Sequence, residues 1–240
     1  MDKKTPVFSE KTHAILFALI ARQVITRYGD EAGVTCLRKA LRRYGEQRGR
    51  RMAMRALANG DALTMFNFLV YGEWRNATAG GEIERAEDET DIRMTIRRCP
   101  WADAWIETEL LQYGRYYCQE IDAALLRGFN PQLRIEVSAT LSNEGTPCEF
   151  IYHQAVQEAG QGLAVIGEKA ARLESQRVAP WEYHCGHLYQ ACSLAAGEDF
   201  GAPGRVIVQS GLVEFGLRFG GSASGTIADY LKTNFDKLPR

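Results

Sequence analysis

The 240-residue chain predicts an α+β protein in which a small antiparallel β-sheet of three to four strands packs against a larger helical layer. Three observations carry that prediction. Residues 11–70 space their apolar side chains by three and four, as in Leu37, Leu41 and Tyr44, which is one face of a helix. Ile92, Met94 and Ile96 alternate with Arg93, Thr95 and Arg97, the period of a half-buried strand. Leu133, Ile135, Val137 and Ala139 alternate in the same way with Arg134, Glu136, Ser138 and Thr140.

The elements follow in order. Ser9, with Thr12 three residues on, caps a first helix, and Gly29-Asp30-Glu31-Ala32-Gly33 breaks it. A second helix carries Leu37, Leu41 and Tyr44, and after Gly60-Asp61 a third runs through Phe66 and Leu69. Asp88-Glu89 turns a hairpin whose second strand ends at Cys99-Pro100, with proline suited to the first turn of the next helix. Two short helices are expected over about 101–127, then a turn at Gly128-Phe129-Asn130-Pro131. The second strand pair turns at Asn143-Glu144-Gly145, and Cys148, Phe150 and Tyr152 share one face of the returning strand. From about 155 onward the pattern is helical, with breaks near Pro180, Ala202-Pro203-Gly204 and Gly220-Gly221. No linker of proline, serine or charge repeats divides the chain. It is read as one domain over 1–240, with a helical part at 1–78, a sheet and motif region at 79–154, and a helical part at 155–240.

Composition narrows the function. The longest apolar patch, Ala14 to Ala21, is about half of the roughly 20 residues a membrane helix needs, and no convincing signal-peptide cleavage site follows it. No membrane partner is expected, and the expected compartment is the cytoplasm. There the six cysteines would be thiols, and none forms a Cys-x-x-Cys pair of the structural-zinc type. A net charge of −1 argues against a dedicated nucleic-acid binder. The basic run Arg38, Lys39, Arg42, Arg43, Arg48, Arg50, Arg51 and Arg55 reads as a solvated helix face that pairs with the acidic stretch at 82–91. One or two of these arginines could instead orient a substrate carboxylate, which the planar guanidinium suits.

The residues that carry chemistry cluster between 99 and 150. Cys118 and Asp122 lie four apart, on one helical face that Leu125 continues. They read either as a buried cysteine beside a surface aspartate or as a nucleophile with a proton acceptor. A carboxylate alone raises a thiol's pKa, so a reactive thiolate would need a cation or a helix N-terminus as well. Cys99 stands at such a helix start, with Arg97 and Arg98 beside it; it either packs at the strand end or holds a stabilised thiolate. Strand parity buries Cys148 and places His153 on the opposite face. His184-Cys185-Gly186-His187 is the one local histidine cluster; structural packing, acid–base work and metal binding are its readings in that order.

The central segment resembles the L-2-amino-thiazoline-4-carboxylic acid hydrolase family. The resemblance rests on Arg98-Cys99-Pro100, on Tyr117-Cys118 with Asp122, and on Gly128-Phe129-Asn130-Pro131 with Leu133. Thr140-Leu141, then Gly145, lead on to Cys148 and Phe150. It implies hydrolytic opening of a five-membered thiazoline at its amidine-like carbon to give an N-carbamoyl amino acid. On that basis Cys118 is expected to be the nucleophile and Asp122 its acid–base partner, with His153 or His187 as a second choice for proton transfer. Cys99, Trp101, Tyr117, Asn130 and Cys148 are expected to meet the substrate. A small-molecule substrate is the expected partner, no cofactor is expected, and a homo-oligomer is allowed but not demanded. The competing readings are a non-enzymatic small-molecule or metal-binding sensor, a hydrolase using zinc or another divalent metal, and an RNA binder using the basic run.

Overall fold

A computed structural model describes residues 8–75, 81–156 and 162–239. Its axis is helix α1 (Glu10–Ala58). The Ser9 hydroxyl accepts from the Thr12 amide, and the Thr12 hydroxyl accepts from the Ser9 amide at 2.8 Å, closing a reciprocal cap. The apolar run 14–21 is buried all round, which marks α1 as a central helix rather than a surface one. At Gly29 (φ +79°) the helix kinks, a conformation glycine adopts without strain, so the expected loop is a one-residue bend. Leu37, Leu41 and Tyr44 all face the core.

After α2 (Met65–Val70), strands β1 (Glu82–Glu87) and β2 (Ile92–Arg98) form the first hairpin, and the Asp88 carboxylate accepts the Thr90 and Asp91 amides in its turn. Helix α3 (Pro100–Glu107) and the 19-residue α4 (Leu111–Phe129) follow. Helix α4 runs through the expected Gly128-Phe129 turn and stops at Asn130, just before Pro131. β3 (Ile135–Ala139) and β4 (Cys148–Tyr152) then complete a four-stranded antiparallel sheet of order β1-β2-β4-β3. The link between β3 and β4 is not a tight turn but a single helical turn, α5 (Leu141–Glu144), ended by Gly145 at φ +69°.

In the sheet, Ile96 pairs with Cys148, Met94 with Phe150 and Ile92 with Tyr152. Cys148, Phe150 and Tyr152 are buried while Glu149 is exposed, as the alternation requires. The buried face meets Met52 and Ala56 of α1 and Leu126 and Phe129 of α4. The chain ends in α6 (Leu163–Arg172), α7 (Glu174–Arg177), α8 (Trp181–Phe219, kinked at Gly201) and α9 (Gly221–Asp229). Helices α4 and α8 flank α1. A Cβ on Gly49 would fall on the Leu125 carbonyl, and one on Gly128 on the Glu46 carbonyl, so α1 and α4 cross at near-backbone contact. That crossing brings the arginine-bearing part of α1 against the cysteine-bearing part of α4. Among the described residues no helix is long and apolar enough to cross a membrane.

The basic run does not form one solvated face. Arg38 and Arg42 pair with Glu120 of α4, and Lys39 and Arg43 pair with Glu198 of α8. Arg48, Arg51 and Arg55 are buried. The acidic stretch does not meet this run: Glu84 pairs with Arg97 and Asp88 lies near Arg93 within the hairpin, Glu87 accepts the Leu163 amide, and Asp91 meets His153.

Candidate active site

Helix α4 presents Cys118 and Asp122 one turn apart, together with Tyr117 and Ile121, to a cavity of about 230 Å³. The start of α3 contributes Cys99 and Trp101, β4 contributes Cys148 and Phe150, and α1 contributes Arg48. Trp74 closes one wall. Three thiols from three different elements therefore meet in one small space. A second cavity, of about 390 Å³ against β3, shares Cys118, Asp122 and Thr140 with the first, so the pair stands in a common wall.

The electrostatics separate these groups. Burial pushes the Asp122 carboxyl up to about 6, opposed by the Arg48 cation. Near neutral pH it is mostly ionised yet easily protonated, the condition for both accepting and returning a proton. Burial drives the Cys118 thiol well above its ordinary range, although the buried Ser142 hydroxyl favours its anion. Cys99 is the N-cap of α3, but burial outweighs the Ala102 and Trp101 amides and pushes its thiol up to about 11. Of the two readings of Cys99, burial favours the packed thiol over the stabilised thiolate. Cys148 is raised by burial too, with its sulfur accepting the Leu141 amide at 3.2 Å.

Behind the cavity lies a buried ionic cluster. Glu73 receives Arg51 through two hydrogen bonds of 2.9 and 2.8 Å and Arg55 through one of 2.7 Å. Burial would raise the Glu73 carboxyl, but Arg51 and Arg48 hold it down at about 2. Arg48 is only 1% exposed, and its Nε lies 3.5 Å from Glu73. Among the described residues, neither Nε nor Nη1 of Arg48 finds a hydrogen-bond partner, and neither does the buried Tyr117 hydroxyl.

Six of the nine residues expected at the site line the cavity: Tyr117, Cys118, Asp122, Cys99, Trp101 and Cys148. The other three do not. His153 lies beyond the end of β4, with its ring nitrogens 2.9 and 3.1 Å from carboxylate oxygens of Asp91 and Glu136. His187 is buried against α1, where its Nε2 meets Gln47 at 2.7 Å and its ring stacks on Phe235. Burial, then Arg51 and Arg48, hold it well below the usual histidine range, so it is a neutral ring and not an imidazolium. Asn130 caps α4 and donates to the Leu63 carbonyl at 2.8 Å. Its side chain is spent on the turn. Among the described residues no group of three or more His, Cys, Asp or Glu side chains is placed to hold a metal ion.

Trp74 and His13 are not singled out by sequence, and Arg48 enters there only as a member of the basic run, one or two of whose arginines could orient a carboxylate. His13 accepts from the Trp101 indole at 3.4 Å and contacts the Tyr44 hydroxyl at 3.0 Å, so it props one cavity wall. A signal for Arg48 did exist. Positions 41, 44, 48, 51 and 55 continue one helical stripe, which places three arginines on the line of Leu41 and Tyr44.

The fold and cavity define an α+β protein whose chemistry-bearing side chains converge on one pocket of small-metabolite size. More particularly, the sequence model described as L-2-amino-thiazoline-4-carboxylic acid hydrolase matches residues 9–152, and the chain belongs to this family. Every residue lining the cavity lies inside that match, whereas α8, which supplies His184 and His187, lies outside it. None of the curated proteins compared and none of the solved structures compared matches the chain.

Proposed function

We propose that the protein is a hydrolase that opens a small cyclic amidine, with 2-amino-thiazoline-4-carboxylate as the leading candidate, through a cysteine nucleophile. One observation carries the reading: a thiol and a carboxyl titrating near 6 share a helix turn and face one small cavity. The family's name supplies the hydrolytic class.

Asp122 takes the Cys118 proton as the sulfur adds to the ring carbon C2. The tetrahedral adduct collapses by breaking the bond from C2 to the ring sulfur, and Asp122 returns the proton to that sulfur. An isothiourea then links C2 to Cys118. Water, deprotonated by Asp122, attacks C2, the bond to Cys118 breaks, and the thiol regains its proton. The sum is one water added and N-carbamoyl cysteine released.

The raised thiols favour a second reading, in which Asp122 activates water directly and Cys118 only lines the pocket. One experiment separates the two. Purified protein is incubated with 2-amino-thiazoline-4-carboxylate, and N-carbamoyl cysteine is followed by mass spectrometry. Cys118→Ala is expected to lose about 10³-fold or more. Near wild-type turnover in that variant would leave the water mechanism, and no product from the wild type would remove the proposed reaction.

A further inference from the structure

The cavity holds a charged group that neither mechanism uses. Arg48, which lines the cavity, is almost wholly excluded from solvent, and its Nη1 finds no hydrogen-bond partner among the described residues. Buried guanidinium nitrogens without acceptors are costly, and such orphans call for an explanation. The nearest carboxylate, Glu73, is already held by Arg51 and Arg55, which leaves Arg48 only a 3.5 Å approach through Nε. The cation instead rests on the Trp74 ring. The Tyr117 hydroxyl, on α4, is a second buried donor at this cavity without a partner among the described residues.

We propose that Arg48 Nη1 and the Tyr117 hydroxyl form a carboxylate-recognition site, which makes the cavity select ring substrates that carry a carboxylate over those that lack one. The inference rests on the function proposed above and names the substrate feature that this site reads. Two donors without acceptors fit a planar anion, and a guanidinium is the side chain best matched to a carboxylate. Trp74 and Trp101, whose rings pack on each other with centroids 5.2 Å apart, line the same cavity, and the Cys118–Asp122 pair lies on its α4 wall. Holding the substrate by its carboxylate would fix which ring carbon meets the thiol.

The test uses calorimetric titration of Cys118→Ala protein at pH 7.5 with two ligands, 2-amino-thiazoline-4-carboxylate and 2-aminothiazoline, which lacks the carboxylate. The carboxylate ligand is expected to bind about 30-fold or more tightly than 2-aminothiazoline. Adding Arg48→Met should remove that preference by weakening the carboxylate ligand, while 2-aminothiazoline, whose ring is largely protonated at this pH, should bind no more weakly than before. If the methionine variant fails to fold, Arg48→Lys and Tyr117→Phe are read in the same way, and each should reduce the preference. Equal affinity for the two ligands, no binding of the carboxylate ligand, or a preference that survives Arg48→Met would overturn the proposal. Wild-type turnover is scored separately. Selective binding without turnover keeps the carboxylate site and removes the reaction, whereas turnover without selectivity does the reverse.

Discussion

The guanidinium carbon of Arg48 sits 3.5 Å from the centre of the Trp74 ring, so this buried cation rests on an aromatic face rather than in a carboxylate fork. That placement keeps a positive charge at the cavity wall, where it opposes the effect of burial on Asp122.

A pH consequence follows. Burial alone would hold the Asp122 proton more firmly; Arg48 limits the rise to about 6. Arg48→Met removes the opposing charge, so the Asp122 value should climb further. The acid limb of kcat/KM should then move to higher pH in the variant. An unmoved limb would mean that Asp122 is not the titrating base.

Asp122 should also cost stability. Its folded value of about 6 lies above the ordinary 3.8, so the folded state holds the proton more tightly. Its contribution is most favourable below about pH 3.8 and is lost as pH rises through about 6. By pH 7.5 the loss is ~3 kcal/mol from a shift of roughly two pKa units. Asp122→Asn should therefore be inactive yet more stable than wild type at pH 7.5, with the difference closing near pH 4. Denaturant unfolding at the two pH values checks this, and a pH-independent difference would contradict it.

The cavity thiols should be slow to alkylate. With Cys118, Cys99 and Cys148 all raised by burial, brief iodoacetamide at neutral pH should modify none of them selectively, and labelling should accelerate in alkali. Peptide mapping by mass spectrometry reads this directly. Rapid, selective labelling of Cys118 at pH 7 would show a resting thiolate and remove the need for Asp122 as its base.

Glu73 should be a keystone of the fold. Glu73→Gln would leave Arg51 and Arg55 buried without their carboxylate, at a cost of about 3–5 kcal/mol in denaturant unfolding. The Glu73 value of about 2 lies below the ordinary 4.5. Its stabilisation is full above about pH 4.5 and fades as pH falls through about 2. The variant should therefore lose part of the wild type's acid-unfolding transition in that window. A loss under 1 kcal/mol would show that the arginines find other partners.

What could be read in advance was local. Helical period alone puts Cys118 and Asp122 on one face, and strand parity alone buries Cys148 with Phe150 and separates it from His153. The Ser9 cap, the hairpin at Asp88 and the break beside Pro203 were equally visible, because each depends on a few neighbouring residues. The connection through α5 was not, since Gly145 ends a tight turn and a helical turn equally well.

The sequence by itself determined the α+β architecture, the shared face of Cys118 and Asp122, and the family motifs. Only the tertiary structure decided that three thiols meet in one cavity and that His187 and His153 stand outside it. It also decided that Arg48 turns inward while Arg38 and Arg42 turn to a surface glutamate. The reason is physical. A basic run on a helix has no preferred side until the helix has neighbours. Here the backbone-close crossing of α1 and α4 buries one stripe of that run, and Glu73 offers it one carboxylate too few.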